Sequence, residues 1–140
     1  VGHGSLFTGI YLGLESLHTQ LKLQSEVKLV GVQPARCAPL VAHWKGVPFE
    51  GGKEPSLAEG TQIISPVRGD QILKFLQPNK DELLAIEEEA ILPAYFDLAR
   101  QGFYVEPTSA IVWAAYQKHG GNWPEPIVLI LTGSGLKFIP

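Results

Sequence analysis

Two kinds of apolar spacing alternate along the chain. From Ile10 to Leu21, isoleucine and leucine recur at intervals of four, three and four residues, which predicts one face of a helix beginning near Ser5 or Leu6. Short continuous apolar runs instead predict strands at 27–32, 83–86 and 127–131, the last of them buried on both faces of a parallel sheet. The other predicted elements are helices over 35–44 (interrupted by Pro39), 70–76, 87–100 (with Pro93 inside) and 107–119, and a loop over 46–60.

Helices that alternate with short apolar strands favour an α/β fold. We expect a three-layer sandwich, a mostly parallel sheet with helices on both faces. A length of 140 residues is enough for one domain with its own core, so 1–140 is interpreted as a single domain. The hydrophobic fraction of 45% and the charged fraction of 18% are typical of a packed globular protein and exclude a disordered chain.

Charge and targeting signals narrow the possible partners. A net charge of −3 offers no basic surface for nucleic acid or acidic membranes, so neither is expected as a partner. No signal-peptide pattern is present, and the apolar run at 127–131 is far shorter than a membrane span, so we expect a cytoplasmic protein. The chain contains no methionine, and we therefore expect that Val1 is not the natural start.

Side chains outside the main motifs are interpreted as structural. The single cysteine, Cys37, excludes an internal disulfide and is expected to be a small buried group. The run at 87–89 is expected to be a solvated helix start. Arg68 could hold an anion, but a surface or dimer salt bridge is favoured. Tryptophan is expected in packing roles. The four histidines lack the spacing of a zinc site, so no metal is expected.

A glycine-rich turn at 1–9, VGHGSLFTG, leads directly into the first predicted helix. Glycines allow a tight turn, and backbone N–H groups at a helix start attract anions such as phosphate. The spacing fits neither a dinucleotide fingerprint, which would need glycine at Phe7, nor a P-loop, which would need lysine at Ile10. A phosphate cup of a third kind and an ordinary strand-to-helix turn both remain open.

Two further segments offer polar groups next to apolar elements. The segment LTGSGLK at 131–137 follows the last predicted strand and carries hydroxyls at Thr132 and Ser134. Ligands in open α/β sheets lie beyond the carboxyl ends of strands, although a simple exit turn would look the same. The segment VEPTSA at 105–110 is typical of a helix start, and its spacing alone indicates nothing more.

These three segments occur in order with GVQ at 31–33, CAPL at 37–40, AEG at 58–60 and SPVRG at 65–69. Together the seven resemble the C-terminal portion of threonine synthases, in the tryptophan-synthase-β-like group of fold-type-II pyridoxal-phosphate enzymes. The resemblance covers nearly the whole chain. It implies that the chain is a fragment of the large cofactor-binding domain and that pyridoxal 5'-phosphate is the cofactor.

The resemblance also implies roles for single residues. The turn at 2–6 matches the family's cup for the cofactor phosphate. Thr132 matches the hydroxyl residue that faces the pyridine nitrogen, Ser134 lies in the same motif, and Glu106 matches an acidic residue that orients or charges the cofactor site. The cofactor-binding residues implied in this way are Gly2, His3, Gly4, Ser5, Leu6, Glu106, Thr132 and Ser134.

Departures from the family pattern are equally specific. Members hold the cofactor as a Schiff base on a lysine ahead of the cup, and none of the lysines here matches it, so no catalytic residue is expected in this chain. His3, Ser5 and Leu6 stand where threonine synthases carry asparagines, and Ser134 stands where histidine is frequent. The segment at 33–37 has no acid, so the cation site of some relatives is not expected.

The resemblance implies a lyase in the intact protein, converting O-phosphohomoserine to threonine, with the fragment alone inactive. A threonine dehydratase or another β-elimination or β-replacement enzyme is one alternative. A non-catalytic split subunit or anion-binding module is the other. The implied partners are a small amino-acid substrate, the missing N-terminal half of the enzyme and a second copy, in a homodimer or larger assembly.

Overall fold

The computed structural model describes residues 1–22, 25–52, 54–77 and 80–138, so Lys53 lies outside the described residues. The helices and strands are α1 Ser5–Thr19, β1 Val30–Pro34, α2 Pro39–Trp44, α3 Gly69–Phe75, β2 Glu82–Ile86, α4 Glu88–Arg100 and α5 Pro107–His119. Short 3-10 turns lie at Ala35–Cys37, Glu59–Thr61, Gly120–Asn122 and Gly135–Lys137. None of the helices in these ranges has both the length and the apolar character needed to cross a membrane.

Strands β1 and β2 form a parallel pair, in which Val30 lies opposite Glu82 and Pro34 opposite Ile86. Because side chains alternate along a strand, each face of this pair supports a separate core. Val32 and Ile86 belong to one core and Leu83 to the other. Helices cover both faces, which confirms the predicted α/β class with a parallel sheet.

Helices α4 and α5 pack together over the first face of the strand pair. The contact joins apolar side chains of α4 to a face of α5 that is mostly alanine, which allows close approach. The residues involved are Ile91, Ala94, Tyr95 and Leu98 of α4, and Ala110, Ile111, Ala114 and Ala115 of α5. At the rim, Asp97 accepts hydrogen bonds from the indole N–H of Trp113 at 2.7 Å and from the amide of Gln117 at 3.0 Å.

The second face is covered by side chains from three helices and the segment that follows α3. Phe7 of α1, Leu40 of α2, Ile72 of α3 and Leu76 surround Leu83 of β2. Ile72 is completely buried, and it also contacts the turn that opens α1. Packing on this face therefore fixes where the glycine-rich turn lies.

The predicted strand at 127–131 is wrong: these residues pair with no strand of the described chain. Val128 is 81% exposed, whereas Leu131 packs against the core formed with α4 and α5. An apolar run shows only that its side chains avoid water on at least one face. It does not specify whether a neighbouring strand forms hydrogen bonds with it. One side of this segment packs on the molecule, and the other faces outward.

Strand β1 lies later in the chain than the predicted range of 27–32. The apolar run stops before Gln33, yet Gln33 and Pro34 are both buried parts of the strand. Just before the strand, the N–H of Leu29 donates to the carboxylate of Asp81 at 2.9 Å. The polar residue Gln33 hid the true end of the strand, because its buried side chain is hydrogen-bonded to three backbone groups inside the protein.

The acidic run at 87–89 is only partly solvated, contrary to expectation. Glu87 and Glu89 are exposed, but Glu88 is buried and accepts hydrogen bonds from the Ser56 hydroxyl at 3.1 Å and from the N–H of Leu57. Cys37 is buried as expected, and burial raises the pKa of its thiol. A thiol of raised pKa is a poor nucleophile, which agrees with a packing role.

The Gln33 carboxamide joins three segments inside this fold and has no exposed surface. Its oxygen accepts the N–H groups of Leu40 at 3.0 Å and Val41 at 3.3 Å, and its nitrogen donates to the Val1 carbonyl at 3.0 Å. Helix α2 has alanine at its N-cap and proline at its first position, so it cannot cap itself through a side chain. Gln33 supplies that cap from the neighbouring strand.

We predict that Gln33→Met lowers the free energy of unfolding by about 2–4 kcal/mol, because buried N–H groups would lose their acceptor. Urea unfolding monitored by tryptophan fluorescence measures this change. Gln77→Met is the matched control, since Gln77 is exposed, and its change should stay within about 0.5 kcal/mol. Equal stability of the two variants would contradict the capping role of Gln33.

Candidate functional site

The glycine-rich turn ends at the start of α1 and leaves N–H groups without partners. The first helical bond runs from the N–H of Thr8 to the carbonyl of Gly4 at 2.9 Å, so the N–H groups of residues 5–7 have no partner within the helix. Gly4 has φ of 94°, and a Cβ there would lie 2.4 Å from Ile72 Cδ1. Only glycine fits this position, and as N-cap it offers no side chain to occupy the free donors.

Arg68 borders this turn, and its position there is not predictable from the local sequence. Its backbone N–H donates to the His3 carbonyl at 3.1 Å, and its Nε lies 3.3 Å from Ser5 Oγ. Its Nη1 reaches the side chain of Gln71 at 3.4 Å. Across the described chain, Arg68 forms no ion pair with a carboxylate, so the expected salt bridge within the chain is not observed. Ser5 is 63 positions away, and only the fold brings the two together.

The segment at 58–61 connects this turn to the start of α5. A Cβ on Gly2 would lie 3.0 Å from the Gly60 carbonyl oxygen, so the two backbones are in close contact. On its other side, the N–H of Gly60 donates to Thr108 Oγ1 at 3.1 Å. Thr108 lies in the first turn of α5. The AEG motif therefore lies between two of the predicted site segments.

Ser109, one residue further along α5, contacts the predicted segment at 131–137. Its Oγ accepts the backbone N–H groups of Thr132 and Gly133, both at 3.0 Å, and lies 3.1 Å from Thr132 Oγ1. Ser109 is 1% exposed, whereas Thr132 is exposed. A buried serine thus presents the threonine at the surface. The helix-start pattern around it gave no indication of this role.

Glu106 lies against the same turn. Its N–H donates to the Gly133 carbonyl at 3.0 Å, and a Cβ on Gly133 would come within 2.0 Å of the Glu106 carboxyl carbon. Val105 and Ser134 form an antiparallel bridge beside this contact. The side chain of Ser134 accepts the N–H of Leu136 at 3.3 Å and so caps the 3-10 turn Gly135–Lys137. The Glu106 side chain thus packs against Gly133, while the Ser134 hydroxyl is engaged in the turn itself.

The structure thus joins the predicted residues through contacts, from Gly2 by way of Gly60, Thr108 and Ser109 to Thr132. One end of this series offers free N–H groups and a guanidinium, which suit a phosphate. The other end offers an exposed neutral hydroxyl, with a carboxylate beside it. Among the described residues, no three His, Cys, Asp or Glu side chains are arranged to hold a metal ion.

The fold and this arrangement define the class of protein. A sequence model of the family described as "Pyridoxal-phosphate dependent enzyme" matches residues 1–133, and the chain belongs to that family. The crystal structure of a threonine deaminase from T.th. superimposes on it with a TM-score of 0.76 at 26% identity, over 100% of this chain and 49% of that chain. The fold is therefore that of fold-type-II pyridoxal-phosphate enzymes.

Curated relatives point in the same direction. Threonine synthase of Mycobacterium leprae is 32% identical over 142 residues, which cover 98% of this chain and 38% of the relative. L-threonine ammonia-lyase of Thermotoga maritima is 29% identical over 140 residues, which cover 97% of this chain and 32% of the relative. The chain thus spans only about a third of the length of the curated relatives that it matches.

We predict that Gly133→Ala destabilises the protein by about 1–3 kcal/mol, because its methyl group must displace the Glu106 carboxylate. Chemical denaturation measures the change. In the Glu106→Ala background, the same substitution should cost little, since the obstructing carboxylate is gone.

Gly121→Ala serves as the control for the added methyl group, because a Cβ at Gly121 meets no atom within 4 Å. An equal loss for Gly133→Ala with and without the Glu106 side chain would show that the close approach seen here does not determine the cost.

Proposed function

We propose that this chain seats pyridoxal 5'-phosphate in a lyase, with the cofactor phosphate at residues 2–6 and the pyridine ring at Thr132. The observation that carries the proposal is the series of contacts that links the unpaired N–H groups of α1 to the exposed Thr132 hydroxyl. Membership of the pyridoxal-phosphate enzyme family supports the choice of cofactor.

The chemistry of the cup residues fits a phosphate. A dianion takes N–H donors at a helix start together with a guanidinium, and Arg68 lies beside the hydroxyl of Ser5. His3, Ser5 and Leu6 are exposed, so this part of the turn lies at the surface. We propose that Gly2, His3, Gly4, Ser5 and Leu6 surround the phosphate and that Arg68 adds positive charge.

Thr132 fits the ring end because its hydroxyl carries no charge. A neutral partner leaves the pyridine nitrogen unprotonated, whereas a carboxylate would favour its protonated form. When bound, the cofactor withdraws electrons from the bonds around the substrate α-carbon, which suits β- and γ-elimination or replacement. Glu106, held against Gly133, orients the ring and adds local negative charge, and Ser134 lies at the edge of the same site.

We propose threonine synthase as the reaction of the intact protein, O-phosphohomoserine to threonine, which the 32% identity to the mycobacterial enzyme supports. The lysine that binds the cofactor covalently would then lie outside these 140 residues, as part of an enzyme whose large domain includes this chain. Threonine dehydratase is the second candidate, supported by the similarity to threonine deaminase. A non-catalytic anion-binding module is the third.

Turnover assays separate these three candidates. We expect the 140-residue chain with pyridoxal 5'-phosphate to convert neither O-phosphohomoserine nor threonine, because the proposal places the covalent lysine outside it. A longer protein that includes the chain should release phosphate and form threonine. Formation of 2-oxobutyrate from threonine would favour the dehydratase. Turnover by the chain alone would contradict the proposed position of the lysine, and cofactor binding by a longer protein without turnover of either substrate would favour the module.

We predict that Arg68→Ala weakens the binding of inorganic phosphate and of pyridoxal 5'-phosphate by about three- to tenfold, the range for losing one charge-assisted contact at an exposed site. Isothermal titration calorimetry with each ligand measures the effect. Arg100→Ala is the charge-matched control, since Arg100 is an exposed residue in the last turn of α4. A similar loss in both variants would reduce the effect to overall charge and argue against a phosphate contact by Arg68.

A further inference from the structure

The Ser109 hydroxyl makes three polar contacts, and all of them go to the turn that carries Thr132. Two of its partners can only donate: the backbone N–H groups of Thr132 and Gly133, each 3.0 Å from Ser109 Oγ. The third is Thr132 Oγ1 at 3.1 Å, where either oxygen could donate. The choice between the two directions decides how Thr132 can act on a ligand.

Counting hydrogens resolves the direction. A serine hydroxyl has one hydrogen to donate and two lone pairs that accept. The two N–H groups occupy both lone pairs, so Ser109 has only its own hydrogen left for Thr132 Oγ1. Ser109 is 1% exposed, so bulk water does not compete for that hydrogen. Thr132 Oγ1 therefore accepts from Ser109, and its own hydrogen is free to point away from the protein.

We infer that Ser109 is a positioning residue that fixes the Thr132 hydroxyl as a hydrogen-bond donor toward the site. This inference rests on the proposed cofactor site. With its hydrogen free, the Thr132 hydroxyl can donate to a pyridine nitrogen that carries a lone pair. Ser109 thereby keeps this donor available to the unprotonated ring, although Ser109 does not face the ligand itself.

The backbone around Ser109 supports this role. Its N–H donates to the Glu106 carbonyl at 2.9 Å, and Glu106 donates in turn to the Gly133 carbonyl at 3.0 Å. The two segments are thus held together by main-chain bonds that do not depend on the Ser109 hydroxyl. Removal of the hydroxyl should loosen the direction of the Thr132 hydroxyl while leaving the turn against α5.

The test is a double-mutant cycle on cofactor affinity, with Ser109→Ala, Thr132→Ala and the double variant, titrated with pyridoxal 5'-phosphate. Each single change should weaken binding by about three- to tenfold, the loss of one buried hydrogen bond, and the double variant should lose little more. Inorganic phosphate should bind all of them equally. Ser16→Ala, an exposed hydroxyl of α1, is the matched control.

A second ligand separates positioning from a general structural effect. The 1-deaza analogue of the cofactor has a C–H in place of the ring nitrogen and cannot accept from Thr132. Ser109→Ala should therefore leave its affinity unchanged. Equal losses for the cofactor and its analogue, multiplying losses in the double variant, or no loss in Ser109→Ala would each overturn the inference. Failure of the unaltered protein to bind either cofactor or phosphate would instead overturn the proposed function.

Discussion

The structure depends on the buried carboxamide of Gln33. A polar side chain with no exposed surface needs hydrogen bonds inside the protein, and the three that Gln33 makes join β1, the start of α2 and the backbone at Val1. Val1 is the first residue of the glycine-rich turn, and its nitrogen also donates to the Val32 carbonyl of β1. These bonds tie the turn to the strand pair, while Ile72 packs beneath Gly4 from the other side.

Ser109 plays a similar structural role at the other end of the candidate site. Ser109 is buried like Gln33, and it also uses one side chain to satisfy two backbone N–H groups of another segment. Between these two points, the segment at 58–61 contacts Gly2 on one side and Thr108 on the other. The side chains of Ser5 and Thr132 are exposed, whereas those of Gln33 and Ser109, which hold their segments in place, are buried. A buried polar framework gives the exposed residues a defined geometry, and this does not require a pocket around them.

The sequence predicted the periodic elements well and the polar contacts poorly. Apolar spacing and the positions of glycine and proline are local signals. They predict the start of α1, the parallel strands and the helix that begins at Pro107. Other features depend on segments that are far apart in the chain. They are the lack of strand pairing at 127–131, the burial of Glu88, the Arg68 contact with Ser5 and the bonds of Ser109. No local pattern distinguishes a serine that starts a helix from one that also holds a distant turn.

The two curated relatives carry the names of different reactions, yet each matches nearly all of this chain, one at 32% and the other at 29% identity. A segment similar to both contains what the two enzymes have in common. The proposed site agrees with that reasoning, because the proposed phosphate cup and neutral hydroxyl would recognise a cofactor rather than a substrate. Residues that distinguish one amino acid from another must lie mainly against the substrate side chain. Under the proposed function, the choice between synthase and dehydratase would therefore be decided by groups other than the framework of Gln33, Gly60 and Ser109.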